Sequence, residues 1–577
     1  MGITDLETQC SSIGGGLTHT YANGSCYVLH LQATKYFVAK ASCNDILGYG
    51  GHLVHPKSSA EVNLSLSLMQ TVSIENAWLG VEQPDWNSPD NAGWYYTTAM
   101  GDYSPATYVQ WSGGEPNGGI GLNAENIAAF ALSRLSYIDY PHSQTIPYLC
   151  QYEESRKQLV TDLEEKCASV NSSLTHVYAN GNCYVFHPQT TPYFVAKLSC
   201  NDFAGYDGHL AHLKSANDKN MAESLMRAST AGNNYTWIGV EQPDWNAANT
   251  VGWSYTTPTT ESSLATYLPW LSGEPSGGTT ENNAAFSVGN PTNYQDFPYS
   301  TSFSYLCQYE PSSQRNVTAL ETSCNQLATP NKYYYAGTCF FESASAATYS
   351  AKKTACPAMA PYYASLAILD TAEKRILARN IGKKSLNAAS SPVTNLAYWT
   401  GLEQQPACPN NACNEEPDKS WYWVDSAGYA HFADLSSQGW ASTYPSDTTN
   451  SKQLATLNYN GYTDVISTTT ALGLCQYSKY FGTGTTTINN NIYNNDINNN
   501  NVNNNSNYND DYNINYCTDD NTDYNIYYNI HYNTNYDNNY DNTDCNTDYI
   551  SDYNTYSNRD SLQYNNTNDS RRDRKQR

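Results

Sequence analysis

Hydrophobic and polar positions along the chain show two periods. Around TKYFVAKASCNDIL (34–47), Phe37, Val38 and Ala41 fall on one side of a helix. A second segment opens with Ser58 and Glu61 at capping-box spacing. Its continuation, LSLSLM (64–69), alternates at period two, which reads as a strand. Two related stretches resolve the conflict. Ser215 and Asp218 precede Met221, Ala222, Leu225 and Met226 at helical intervals. Asp370 and Glu373 precede Ile376 and Leu377. A helix is therefore predicted at all three places. Between and after them come short aromatic strands and long loops rich in Gly, Pro and Asn. The mixture predicts an α+β fold.

The similarity among those stretches is part of a longer repeat. LTHTYANGSCYVLH and YFVAKASCNDILGYGGHL return as LTHVYANGNCYVFH and YFVAKLSCNDFAGYDGHL. Cys26 and Cys183 are 157 residues apart, as are Cys150 and Cys307. A divergent third copy carries AGTCFF, TAC and LCQY. Each copy holds four cysteines in order: Cys10, Cys26, Cys43 and Cys150; Cys167, Cys183, Cys200 and Cys307; Cys324, Cys339, Cys356 and Cys475. The third adds Cys408 and Cys413, read as a small loop bridge. A solenoid unit spans only about 20–50 residues, so the copies are predicted to be globular domains: 1–153, 154–310 and 311–478, with a tail at 479–577.

Cysteine use also bears on compartment. The 16 cysteines form no C-x-x-C pair and recur at matching positions. That is the pattern of a disulfide framework in an oxidising compartment. The opening MGITDLETQC shows no signal peptide, so a secreted or surface protein is expected whose start is missing or misassigned. The net charge of −25 argues against nucleic acid and against a polybasic membrane surface. No apolar run is long enough for a membrane span. Sequons at Asn23, Asn63, Asn171, Asn234 and Asn316 are candidate glycan sites.

The ordered landmarks resemble the C-type lectin-like domain. In each copy a Cys ends the first helix. Next is a W-x-G-x strand: Trp78-Leu79-Gly80-Val81, Trp237-Ile238-Gly239-Val240 and Trp399-Thr400-Gly401-Leu402. Then come a Trp-rich loop, a Trp before a Glu-Pro motif, and a closing Cys. The set is similar to the secreted multi-domain C-type lectin-like proteins of nematodes. The resemblance implies pairings Cys43–Cys150, Cys200–Cys307 and Cys356–Cys475, with Cys10–Cys26 and its counterparts Cys167–Cys183 and Cys324–Cys339 as an N-terminal bridge. The family's usual second loop bridge is absent. Ile127 and His142 stand at its positions in copy one, and Asn283 and Tyr299 in copy two, so the long loops are expected to be less constrained.

The resemblance further implies calcium held by loop oxygens, which then accepts sugar hydroxyls. Calcium takes six to eight oxygen ligands. Copy one offers Glu115 and Asn117 around Pro116, then Glu125 and Asp139; Ile138 supplies no oxygen where the family has Asn. Copy two offers Glu274 and Ser276, then Glu281, Gln295 and Asp296, with an oxygen at every position. Copy three has Tyr444-Pro445-Ser446 and Asp464 alone, and is expected not to bind calcium there. Glu115, Asn117, Glu274 and Ser276 are the expected sugar contacts. The plain alternative is that each triplet is only a turn. Trp78, Trp237 and Trp399 are expected in the core. Trp86 and Trp245 either stack on a sugar or cover the base of the loop. His142 is not expected to be a ligand.

The function implied is calcium-dependent recognition of glycans or glycoproteins. A calcium-independent protein-binding or surface-coat module is the alternative. No enzyme is expected, since no Ser-His-Asp or Cys-His order, zinc spacing or phosphate loop is present. The tail stands apart. Residues 488–570 hold 30 Asn, 14 Tyr and 13 Asp and no Ala, Gly, Pro, Lys, Glu, Phe or Trp, so they cannot build a core. One reading is a polar low-complexity tail. The other is a frameshifted Thr-rich stalk, because ACN codons read two bases on encode Asn, Tyr, Asp and His.

Overall fold

A computed structural model describes residues 3–478 except 122–124, 172, 202, 204, 230–233, 279, 289–292, 360–363, 389–396, 405–420, 426–429, 434, 436–438, 447–451, 453 and 459–460. Cys408, Cys413 and the Asn-rich tail lie outside the described residues.

The first repeat runs α1 (Asp5–Ser11), β1 (Thr18–Ala22), β2 (Ser25–Thr34), α2 (Tyr36–Ala41), β3 (His52–Leu53), α3 (Ser59–Thr71), β4 (Asn76–Glu82), β5 (Tyr95–Thr97), β6 (Tyr103–Pro105), β7 (Ile127–Ala131), β8 (Ser136–Tyr140) and β9 (Ile146–Glu153). Its sheet has the order β1-β2-β9-β4-β5-β6, with β3 on β9 and β7 joining β4 to β8. The strands nearest the two ends of the repeat lie side by side, Val28 opposite Cys150. The second and third repeats trace the same path. Their helices are α4 (Asp162–Ala168), α5 (Tyr193–Ser199) and α6 (Ala216–Ala228), then α7 (Ala319–Gln326), α8 (Tyr349–Met359) and α9 (Ala372–Ala388).

Local sequence explains the elements. Asn23-Gly24 closes the β1–β2 hairpin with both residues at positive φ, 52° and 78°, the two-residue turn that matches strand twist. LSLSLM is helical despite its alternation. Ser65 and Ser67 donate back to the carbonyls of Glu61 and Asn63, so the intervening polar groups are satisfied within the helix. Ser58 accepts the N–H of Glu61, and Ser215 that of Asp218. In the third repeat the capping hydroxyl is Thr371, which accepts from Lys374 N–H, while Asp370 pairs with the Lys374 ammonium instead. The start expected at Asp370 is thus one residue early.

Trp78, Trp237 and Trp399 are wholly buried, and each indole donates to a backbone carbonyl: Thr34, Thr191 and Ala347. The glycine of W-x-G-x has a steric cause. A Cβ on Gly80 would lie 2.5 Å from the His55 ring and 2.6 Å from the Leu53 carbonyl oxygen. Six disulfides join Cys10–Cys26, Cys43–Cys150, Cys167–Cys183, Cys200–Cys307, Cys324–Cys339 and Cys356–Cys475.

Successive repeats meet through one recurring joint: α6 packs on α2, and α9 on α5. The Arg227 guanidinium lies 4.1 Å from the Trp86 ring, and the Lys383 ammonium 4.9 Å from Trp245 and 4.8 Å from Phe194. Asn220 donates to the Gly101 carbonyl, Asn380 to that of Pro258, and Arg379 pairs with Glu261. Beneath the joints sit buried ion pairs, Lys40–Glu82 and Lys197–Glu241, each at 2.9 Å. Their counterpart in the last repeat, Lys353–Glu403, is 3.4 Å long and partly exposed.

Candidate functional site

The site is built where the x-Pro loop meets the β8 strand of each repeat. Asp139 on β8 lies opposite Ala128, Asp296 opposite Ala284 and Asp464 opposite Ala455, so the register is the same three times. All three carboxylates are buried. Each receives backbone N–H groups of the loop: Asn117 and Gly118 donate to Asp139, Ser276 and Gly277 to Asp296, and Ser446 to Asp464. The Glu115–Pro116, Glu274–Pro275 and Tyr444–Pro445 bonds are all cis.

In the second repeat three carboxylates converge. Glu274 lies within hydrogen-bond reach of Asp296, and burial followed by that contact raises its pKa. Burial and then Asp296 raise the pKa of Glu281. One Glu274 oxygen is buried with no partner, and no ion pair to these three groups forms among the described residues. A Cβ on Gly277 would come 2.1 Å from the Cβ of Glu281, so only glycine lets the loop approach that residue. Ser276 stands beside Glu274. Gln295 does not join them. Neighbouring strand residues face opposite ways, and its amide oxygen accepts from the Tyr235 hydroxyl at 3.1 Å.

The first repeat places Glu115, Asn117, Glu125 and Asp139 in the same arrangement with one difference. Arg134, just before β8, donates to Glu115 at 2.8 Å, and the Asn117 amide donates to the other Glu115 oxygen. Burial, then a hydrogen bond with Glu115, pushes Asp139 up to about 6. Burial and then Glu115 raise Glu125. Ile138 is packed into the core beside Trp78. In the third repeat the Lys452 ammonium lies 2.7 Å from Ser446 Oγ and 3.9 Å from Asp464. The three loops therefore differ in where their positive charge comes from. The first has a guanidinium, the third an ammonium, and the second none among the described residues.

Arg134 and Lys452 escape a reading of the sequence, because each lies well outside the loop triplet it neutralises. So do the stacking partners of the loop tryptophans. Trp86 stacks on His142 at 5.1 Å and Trp245 on Tyr299 at 5.4 Å. His142 and Tyr299 each stand at one of the two positions of the absent loop bridge, so an aromatic contact to a different partner holds that end of the loop. Gln83 adds to this: it accepts from Asn126 and donates to the Pro89 and Ala92 carbonyls, an arrangement Gln242 repeats. The expected slackness of the long loops is not what these contacts describe. Trp86 and Trp245 are joint residues, which excludes an open sugar-stacking face for them here.

A second polar cluster is buried in each of the first two repeats. His52 stacks on His55 at 4.1 Å, and His209 lies on His212 at the same distance. Burial, then the neighbouring imidazole, holds His55 and His212 well below the usual histidine pKa; Lys57 and Arg156 add to this at His55, and Lys214 and Lys197 at His212. Each is held by a carbonyl, Thr97 or Thr256. The unfolded chain therefore takes up these protons first as pH falls. The stability is present above about pH 6.5 and is lost below it, by at most about 1.4 kcal/mol per pH unit for each histidine. In the third repeat Ser365 and Ile368 occupy these positions. Hydrogen exchange at pH 7 and pH 5 should show protection falling in repeats one and two and holding in repeat three.

No family model matches the chain, and no curated protein matches it by sequence. Solved structures similar to parts of it include human lithostathine, at 20% identity over 23% of this chain and 96% of that one, TM-score 0.21. The C-type lectin CEL-I from Cucumaria echinata is 17% identical over 24% of this chain and 96% of its own, TM-score 0.21. The carbohydrate-recognition domain of the human scavenger receptor C-type lectin is 19% identical over 24% and 97%, TM-score 0.20. Likenesses of that size carry no functional weight. The features that recur inside this chain are stronger: paired end strands, a bridge from the C-terminal end of α2 or its counterpart to the last strand, the buried W-x-G-x tryptophan, and an x-Pro loop bonded to an Asp on β8 or its counterpart. The chain thus carries tandem copies of the C-type lectin-like fold ahead of its Asn-rich tail.

Proposed function

We propose that the chain is a secreted carbohydrate-binding protein whose second repeat holds calcium and recognises glycans through it. The observation that carries this reading is the convergence of Glu274, Glu281 and Asp296 with no cation of the protein's own among the described residues, one buried oxygen of Glu274 being left without a partner. These three carboxylates and the Ser276 hydroxyl would hold the ion. They suit a hard cation that takes oxygen ligands, with water and sugar hydroxyls completing six to eight. Bound calcium supplies open coordination positions to a pair of sugar hydroxyls. The backbone bonds from Ser276 and Gly277 to Asp296 hold the loop against the strand, so the carboxylates are positioned before the ion arrives. Gln295 is left out of the ligand set. The domains are 1–153, 154–310 and 311–478, and binding rather than catalysis is their role.

The first repeat is the weaker site, because Arg134 already neutralises Glu115. The full chain should be retained on mannose or galactose resin in calcium and released by chelator. Glu274→Ala should abolish retention; Glu115→Ala should reduce it less. A second reading has support in Arg134 and Lys452: loops neutralised by the protein's own cations suit a calcium-independent protein-binding module. Retention that ignores chelator, or none on either resin, would favour it.

A further inference from the structure

Between the second and third repeats the chain seats a cation of its own. The Arg315 guanidinium donates to both oxygens of Glu321 and to Asp207 at 2.5 Å, and lies 5.6 Å from the Tyr334 ring. Its backbone N–H is held by the Gly205 carbonyl. The boundary between the first and second repeats is built the same way. Gln158 and Glu164, each 157 positions earlier, stand where Arg315 and Glu321 do, and the Gln158 N–H is held by the Gly48 carbonyl. Tyr178 corresponds to Tyr334, each lying opposite the second cysteine of its short bridge. Two changes break the match: glutamine replaces Arg315, and Gly50 replaces Asp207.

At this first boundary lies a cavity of about 50 Å³ whose lining includes Gly50, Met100, Gln158, Glu164, His176 and Tyr178. One water needs about 10–15 Å³ of such space, so a group of about four non-hydrogen atoms fits. Glu164 is 5% exposed. One of its oxygens accepts from the Gly48 N–H at 2.9 Å and from the Gln158 amide at 3.4 Å. The other is buried with no partner, and no ion pair reaches this carboxylate among the described residues. The nearby cations are engaged elsewhere: Arg156 with Asp102 and the Gly50 carbonyl, Lys40 with Glu82. We propose that the cavity binds a small guanidinium ligand, which supplies from outside the cation that Arg315 supplies from within the chain. Its N–H groups would bond the free Glu164 oxygen, and its face would lie on Tyr178. A guanidinium suits this place better than an ammonium, because it is planar, weakly hydrated and stacks on aromatic rings. Residues of both repeats line the cavity, so the ligand would also tie them together.

The test is a titration of the full chain with methylguanidinium, followed by ligand-detected NMR at concentrations too low to denature it. Methylguanidinium should bind, and Glu164→Gln and Gln158→Arg should each weaken binding at least tenfold. Gln158→Arg restores the cation of the second boundary, so it competes with the ligand while the repeats stay folded, even if Glu164→Gln unfolds them. A Gly-Arg-Gly peptide distinguishes the source of the ligand. Its binding alongside methylguanidinium would point to an arginine side chain of a partner, and its exclusion to a free small guanidine. No binding of methylguanidinium by the folded chain would overturn the proposal. So would binding that Gln158→Arg leaves unchanged, which would place the ion at the acidic loops instead.

Discussion

Replacing Lys197 with methionine should destabilise the second repeat by about 3–5 kcal/mol, the usual cost of stranding one member of a buried ion pair. Both side chains are out of water, at 0% and 2% exposure, and the substitution removes the ammonium 2.9 Å from the Glu241 carboxylate. Lys383 from the next repeat is near enough to compensate in part. The same change at Lys40 strands Glu82, which keeps contacts with the Tyr103 and Tyr36 hydroxyls. Lys353→Met in the third repeat should cost only about 0–1 kcal/mol, because that pair is partly solvated. Hydrogen exchange in urea, read repeat by repeat, separates the three cases. Equal costs at Lys40, Lys197 and Lys353 would contradict this ranking.

The second large effect concerns the long-range bridges. Removing Cys200–Cys307 as a double serine variant should cost about 4–5 kcal/mol, since the bridge spans 107 residues of the unfolded chain. Removing Cys167–Cys183, with a separation of 16, should cost about 3 kcal/mol. Each repeat is rich in loops, and its core is only part of a 577-residue chain, so the longer bridge decides whether the repeat stays folded at physiological temperature. Urea unfolding of the two double variants, tracked at the buried tryptophans, measures the difference. Indistinguishable midpoints would argue that chain entropy is not what these bridges contribute.

What can be read from the sequence is local or repeated. The hairpin turn at Asn23-Gly24, the capping serines and the tryptophan of W-x-G-x each depend on a few adjacent residues, and three copies correct one another where LSLSLM is ambiguous. The acidic loop residues are legible because they cluster in short motifs. The missing pieces depend on approach in space. Arg134 reaches Glu115 from 19 positions away, Arg227 reaches Trp86 from the next repeat, and Tyr235 claims Gln295 from another strand. Trp86 illustrates the gap: its loop is visible in the sequence, but the helix that covers it is encoded about 140 residues later. Ile138 can be recognised as lacking oxygen; its place in the core beside Trp78 cannot.

The most direct test of the calcium site is a titration of the full chain with calcium by calorimetry, alongside Glu274→Gln and Glu115→Gln. The expected result is binding with a dissociation constant of roughly 10⁻⁴–10⁻³ M, lost in Glu274→Gln and largely kept in Glu115→Gln. A titration that Glu274→Gln leaves unchanged, or no binding by the folded wild-type chain, would contradict it.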